Sequence, residues 1–193
     1  KLAKNKSLFC LIGLFLIILL GSFIRVQNIQ LLKDKYTIEL DTEYFLRIAK
    51  TINEVGYLPQ NDTLRYAPLG FDSRNENNFL SYTMVYLYKF MHFFNPAITL
   101  EKAVILHPVV FFILGLVFFY FLVREFFDDY LALLASLFLA ILPAYLHRTM
   151  AGFSDKEALG LFFMYLAFFL FIKSMKEKKD LPASTYALAS GFA

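Results

Sequence analysis

The 193-residue sequence has no tryptophan, a single cysteine and a charged fraction of only 18%. The lone Cys10 excludes an internal disulfide and a thiolate metal cage. So low a charge content excludes an ordinary water-soluble domain, in which about a quarter of residues are charged. Also missing are a Gly-rich phosphate loop, a nucleophile elbow, a His-Glu-x-x-His helix and a dinucleotide fingerprint, and with them the soluble-enzyme mechanisms built on those motifs. The net charge of +3 hides an asymmetry, short lysine clusters that read as membrane topology signals, so no nucleic-acid partner is implied.

What the sequence has in quantity is apolar surface: 59% of residues are hydrophobic and 24 are Phe. A bilayer core of about 30 Å needs roughly 20 apolar residues in a helix. Runs of that kind predict spans at about 8–24, 103–123, 130–147 and 158–172, and a further apolar run starts at 184. The first run is read as an uncleaved anchor, because it is longer than a signal core and no Ala-x-Ala site follows it. The chain starts at Lys1 without a methionine and stops inside the last apolar run, so the sequence is expected to be the early part of a longer protein.

Lys1, Lys4 and Lys6 precede the first run, and Lys173, Lys176, Lys178 and Lys179 follow the fourth. Positive flanks stay cytoplasmic, and four spans place both clusters inside. Residues 25–102 and the turn 148–157 then lie outside. The long first external loop carries its own helical signals. Phe45, Ile48, Ala49 and Ile52 recur at helical spacing between Thr42 and Val55, with Asp41 where an N-cap would stand and Gly56 where a left-handed residue would end the helix. A second helix is expected from Phe79 to Phe94, ending before Pro96 and lying on the membrane rather than crossing it.

This topology brings Asp41, Asp155 and Glu157 to one membrane face. Hard cations such as magnesium or manganese take a few carboxylate ligands and leave positions for water or substrate phosphate. Residues two apart point in opposed directions on a helix, so Asp155 and Glu157 can chelate only from a turn, for which Gly152 is suited. The competing reading makes Ser154-Asp155-Lys156-Glu157 a capping box and Asp41 a plain N-cap. His147 and Arg148 close the third span, where Arg148 can pair with phosphate or carboxylate or simply reach for water. His107 either faces a substrate cavity or packs between helices.

At these residues the sequence resembles the catalytic subunit of oligosaccharyltransferase, in particular its single-subunit archaeal and bacterial forms. The resemblance rests on Asp41-Thr42-Glu43-Tyr44-Phe45-Leu46-Arg47 early in the external loop and on Tyr66-Ala67-Pro68-Leu69-Gly70 later in it. Most specifically, it rests on Arg148 through Glu157 before the fourth span. It implies an all-α, multi-span helical bundle of the C-type glycosyltransferase kind with a long helical first external loop. It also implies transfer of an oligosaccharide from a lipid-linked (pyro)phosphate donor to the asparagine of an Asn-x-Ser/Thr sequon in an acceptor polypeptide. The implied setting is the extracytoplasmic face of a multi-pass protein in the cell membrane. In that picture Asp41, Asp155 and Glu157 bind Mn2+ or Mg2+, while Asp41 and Arg148 act in catalysis, Asp41 facing the acceptor amide. The family's later external loop with its glutamate and its soluble C-terminal domain are not present in this sequence, so this portion alone is expected to be inactive. The alternatives are another C-type glycosyltransferase using a polyprenyl-phosphate sugar donor, and a non-enzymatic membrane transport or assembly protein.

Overall fold

The computed structural model describes residues 2–32, 37–76 and 78–193; Lys1 of the basic flank lies outside the described residues. In chain order the elements are α1 (Leu2–Val26), α2 (Ile29–Leu32), α3 (Leu40–Val55), β1 (Asn61–Asp62), β2 (Phe71–Asp72), a 3-10 turn (Ser73–Asn75), α4 (Phe79–Phe94), α5 (Leu100–Arg124), α6 (Asp129–Ile141), α7 (Pro143–Arg148), α8 (Lys156–Lys176) and α9 (Asp180–Phe192). They divide into two compact units. One holds residues 1–28, 108–151 and 156–193, the other residues 29–107 and 152–155.

The first unit is helical and apolar on both its inner and outer sides. Among the described residues, three helical stretches are long and apolar enough to cross a membrane: Phe9–Leu32, Leu100–Arg124 and Lys156–Lys176. Phe112, Leu116, Ala140, Tyr145 and Tyr165 form the unit's main core, and Leu14, Tyr120 and Ala132 a second one. The phenylalanines of α5 and α8 interlock, Phe118 against Phe162 and Phe169, and Phe119 against Tyr165. Other large apolar side chains point outward, among them Phe9, Phe15 and Phe23 of α1, Phe138 of α6 and Phe168 of α8. A helix apolar all round is stable only where lipid or protein covers every side.

The run 130–147 is broken into α6 and α7, a difference from the continuous span expected there. Pro143 has no N–H and disfavours helical geometry in the residue before it, so Leu142 takes φ −58°, ψ 120° and the helix restarts with Pro143 at its first position. The acidic turn between α5 and α6 is locally neutralised. Asp128 caps α6 by accepting from the Leu131 N–H at 2.9 Å, Asp129 pairs with Arg124 at 2.6 Å, and Glu125 pairs with Lys173 at 2.9 Å.

In the second unit α3 packs on α4. The buried face of α3 is Thr42, Phe45, Leu46, Ile48, Ala49 and Ile52, that of α4 Leu80, Ser81, Met84 and Val85. The Ser81 hydroxyl donates to the Phe45 carbonyl at 3.2 Å. Gly56, at φ +90°, ends α3 and returns its N–H to the Ile52 carbonyl. The start of α3 differs from the sequence expectation: Glu39 holds the cap position without a side-chain cap bond, and Asp41 falls in the first turn. An acid in the first turn still gains from the helix dipole.

The polar stretch between α3 and α4 is a β1–β2 hairpin tied to α3 by charge. Arg47 grips Asp62 through two bonds of 3.1 and 2.5 Å, Arg65 pairs with Glu76 at 2.8 Å, and the Tyr44 hydroxyl donates to the same Glu76. Hydrogen bonds from Arg47 hold Asp62 below the usual carboxylate range, and the Tyr44 phenol and Arg65 do the same for Glu76. Burial, reinforced by the bond to Glu76, pushes Tyr44 up to about 12. Because both carboxyls titrate lower when folded, their contribution is complete above the ordinary carboxylate pKa of about 4 and disappears as pH falls through the lower folded values. Amide protection over residues 57–76, corrected for the intrinsic exchange rate at each pH, is therefore expected to hold from pH 7 to 5 and to fall sharply in more acidic buffer. Asp62→Asn should show the acid-like loss of protection already at pH 7, and equal protection in that variant would remove the ion pair's assigned role.

Candidate metal centre

The segment from Arg148 to Glu157 opens with a turn whose geometry requires glycine. Gly152 sits at φ +86°, and a Cβ there would stand 2.7 Å from Leu32 Cδ1. Its N–H donates to the Ile105 carbonyl at 2.9 Å, and its own carbonyl accepts from the Ile38 N–H at 3.0 Å. Two residues on, the Ser154 hydroxyl donates to the carbonyl of Val104. That carbonyl is open because the residue four positions later in α5 is Pro108, which has no N–H to offer it.

The Ser154 N–H donates to Thr42 Oγ1 at 3.0 Å, with both residues fully buried. This bond joins the turn to the first turn of α3, and the residues beside its two ends are Asp155 and Asp41. Together with Glu39, these place one carboxylate oxygen each within 4.8 Å of one another, in a group that can hold a metal ion. Asp155 is 9% exposed, Asp41 is exposed and Glu39 is intermediate. Glu39 Oε2 is buried without a hydrogen-bond partner. Charges at such a separation repel by roughly 3 kcal/mol per pair at an effective dielectric constant of about 20. An all-oxygen donor set with a buried, unsatisfied oxygen fits a hard divalent cation.

Of the residues singled out in the sequence, the fold thus joins Asp41 and Asp155, and adds Glu39. Glu157 lies in the first turn of α8 and pairs through Oε1 with Arg148 at 2.8 Å, while its Oε2 is buried with no hydrogen bond. The capping box does not form, since Ser154 gives its hydroxyl to Val104 and Glu157 turns to Arg148. His107 is fully buried with Nε2 2.9 Å from Thr83 Oγ1, so it packs between α4 and α5. His147 is exposed at the end of α7. Glu39 and Thr42 escaped the sequence reading. The available signal for Glu39 was its Glu-x-Asp spacing to Asp41, the same two-residue step that drew attention to Asp155 and Glu157.

Fold and site define a helical integral membrane protein in which the helix α3 and a later turn bring acidic side chains to one point. Residues 8–193 match the family described as "Oligosaccharyl transferase STT3, N-terminal", and the chain belongs to that family. It is 37% identical over 73 residues to the dolichyl-diphosphooligosaccharide–protein glycosyltransferase subunit STT3B of Arabidopsis thaliana, covering 38% of this chain and 9% of that protein. It is 34% identical over 70 residues to subunit stt-3 of Caenorhabditis elegans, covering 36% and 9%. The fold is that of the Archaeoglobus fulgidus oligosaccharyltransferase AglB. A structure of AglB with an inhibitory peptide and a dolichol-phosphate superposes with a TM-score of 0.75 at 22% identity, over 97% of this chain and 23% of the other. A zinc and sulfate complex of the Archaeoglobus fulgidus enzyme superposes with a TM-score of 0.67 at 20% identity, over 91% and 24%. The chain therefore spans under a quarter of the length of these relatives.

The bond from Ser154 to Thr42 gives a direct test of how the site is held. Thr42→Val leaves a buried N–H unsatisfied and is expected to cost about 1–3 kcal/mol, whereas Thr42→Ser keeps the acceptor. Thermal midpoints of the full-length protein in detergent should fall for valine and hold for serine, and equal midpoints would deny the bond its anchoring role.

Proposed function

We propose that this chain is the early membrane portion of an oligosaccharyltransferase catalytic subunit. The reaction is transfer of an oligosaccharide from a lipid-linked (pyro)phosphate donor to the amide nitrogen of asparagine in an Asn-x-Ser/Thr acceptor, on the extracytoplasmic face of the cell membrane. The bond from the sugar's anomeric carbon to phosphate oxygen breaks, a carbon–nitrogen bond forms, and the amide gives up a proton. The observation that carries this reading is the convergence of Asp41 and Asp155, with Glu39, in a chain of this family. The peptide and dolichol-phosphate held by the related archaeal structure support a peptide acceptor and a lipid-phosphate donor.

In this reading Glu39, Asp41 and Asp155 hold one Mn2+ or Mg2+, and Glu157 keeps Oε2 for a ligand role. When bound, the ion supplies positive charge for the departing phosphate. Asp41, the most exposed of the three, faces the acceptor amide. Arg148, paired with Glu157, offers its guanidinium to donor phosphate, a group that arginine binds through paired N–H donors. Thr42 and Ser154 keep the carboxylates in register.

Manganese titration of the full-length protein tests the assignment. Asp41→Ala and Asp155→Ala are each expected to weaken Mn2+ binding at least about tenfold and to abolish glycan transfer to a sequon peptide, and Glu39→Ala to weaken both. Unchanged Mn2+ affinity in the Asp41 and Asp155 variants would remove the mechanism. Intact metal binding without transfer to peptide would favour a different lipid-phosphate sugar transferase.

A further inference from the structure

Arg25, near the C-terminal end of α1, is fully buried, and no carboxylate pairs with it among the described residues. Its guanidinium is instead held by neutral oxygens. Nε donates to Thr149 Oγ1 at 2.7 Å, and Nη1 donates to the carbonyls of Ala140 at 2.9 Å and Gly21 at 3.0 Å. The Phe112 ring covers its face with Cζ 3.5 Å from the centroid, a contact that favours a cation removed from water. Gly21 makes this possible, because a Cβ at that position would stand 2.5 Å from Phe112 Cζ.

The partners of Arg25 sit at both ends of α7. Ala140 lies in the last turn of α6, where the break before Pro143 leaves carbonyls without intrahelical donors. Thr149 is the residue directly after Arg148, and its hydroxyl donates to the Tyr145 carbonyl at 2.6 Å. Backbone bonds tighten the same junction: the Ala151 N–H donates to the Arg25 carbonyl at 3.0 Å, and Asn28 Nδ2 donates to the Ala151 carbonyl at 2.8 Å. The residues on the C-terminal side of Arg148 are thus pinned to the end of α1 by three hydrogen bonds. Arg148 itself, half exposed, makes its ion pair with Glu157 from that fixed base.

We propose that Arg25 is a positioning residue for Arg148: through Thr149 and the α6–α7 break it fixes the segment from which Arg148 acts on donor phosphate. This rests on the oligosaccharyltransferase reading for its effect on rate, but not for its effect on the segment's order. Lysine cannot replace the planar fork that serves Thr149 and Ala140 together.

The experiment uses the full-length protein with a lipid-linked oligosaccharide and a sequon peptide. Arg25→Lys and Thr149→Val are expected to lower kcat at least about tenfold with peptide KM within about twofold, and Thr149→Ser, which keeps the hydroxyl, to stay near wild type. The double variant Arg25→Lys/Thr149→Val should lose no more than the worse single one, because both break the same link. Folded single variants with wild-type kcat, or losses that multiply, overturn the proposal. Hydrogen exchange at the Ala151 amide decides the matter independently of turnover: slow in the wild type and at least about tenfold faster in Thr149→Val if Arg25 pins the segment, unchanged if it does not. A wild-type protein that transfers no glycan would count against the proposed function, while the exchange result would still stand for or against Arg25.

Discussion

The bond from the Ser154 N–H to Thr42 Oγ1 joins two stretches separated by 112 residues of chain, and the acidic group depends on it. Both partners are fully buried, so neither can exchange the bond for water, and the penalty for leaving a buried donor unmade exceeds the modest net gain of making it. That asymmetry sets the register. Asp41 precedes Thr42 and Asp155 follows Ser154, so fixing the inner pair brings the two carboxylates together without either acid contributing to the joint.

Prolines in apolar helices make such joints available. In water a carbonyl released by proline turns to solvent; in a helix surrounded by lipid or protein it needs an internal donor. Pro108 opens the Val104 carbonyl, which the Ser154 hydroxyl takes, while Ile105 receives the Gly152 N–H. The break before Pro143 opens the end of α6, where the Ala140 carbonyl takes Arg25. Each interruption that weakens a helix also creates an acceptor, and the segment carrying Arg148, Ser154 and Asp155 supplies or adjoins the donors. Replacing either proline by alanine would mend a helix at the expense of an anchor for that segment.

The three long apolar helices, the amphipathic α3 and the bounds of α4 were legible because periodicity and run length are local properties. So was the approach of Asp41 to Asp155, through the span count that puts both on one membrane face, with the family resemblance added to it. Less visible was anything decided by a partner distant in sequence. Ser154 reads as a cap, and only the neighbouring Val104 and Thr42 show that its polar groups are already engaged. Arg25 reads as a basic residue at the rim of a span, where an arginine normally reaches for water; its burial depends on Gly21, Phe112 and the break in α6, none of which marks Arg25 locally. Pro143 sat in plain view inside the predicted third span, but a proline kinks some helices and ends others, and the sequence does not distinguish the two.

The energies involved suggest why the turn is held at so many points. A typical hydrogen bond contributes about 0.5–1.5 kcal/mol net, less than the repulsion of one close carboxylate pair at roughly 3 kcal/mol. No single bond therefore suffices to keep three acids crowded. The bonds of Gly152 and Ser154 act on neighbouring residues of one short turn, so their contributions accumulate there. A divalent cation reverses the sign of the problem by replacing repulsion among carboxylates with attraction to a shared charge. Closure of the turn and affinity for the ion are then linked: whatever loosens the turn weakens the site, and whatever fills the site stabilises the turn.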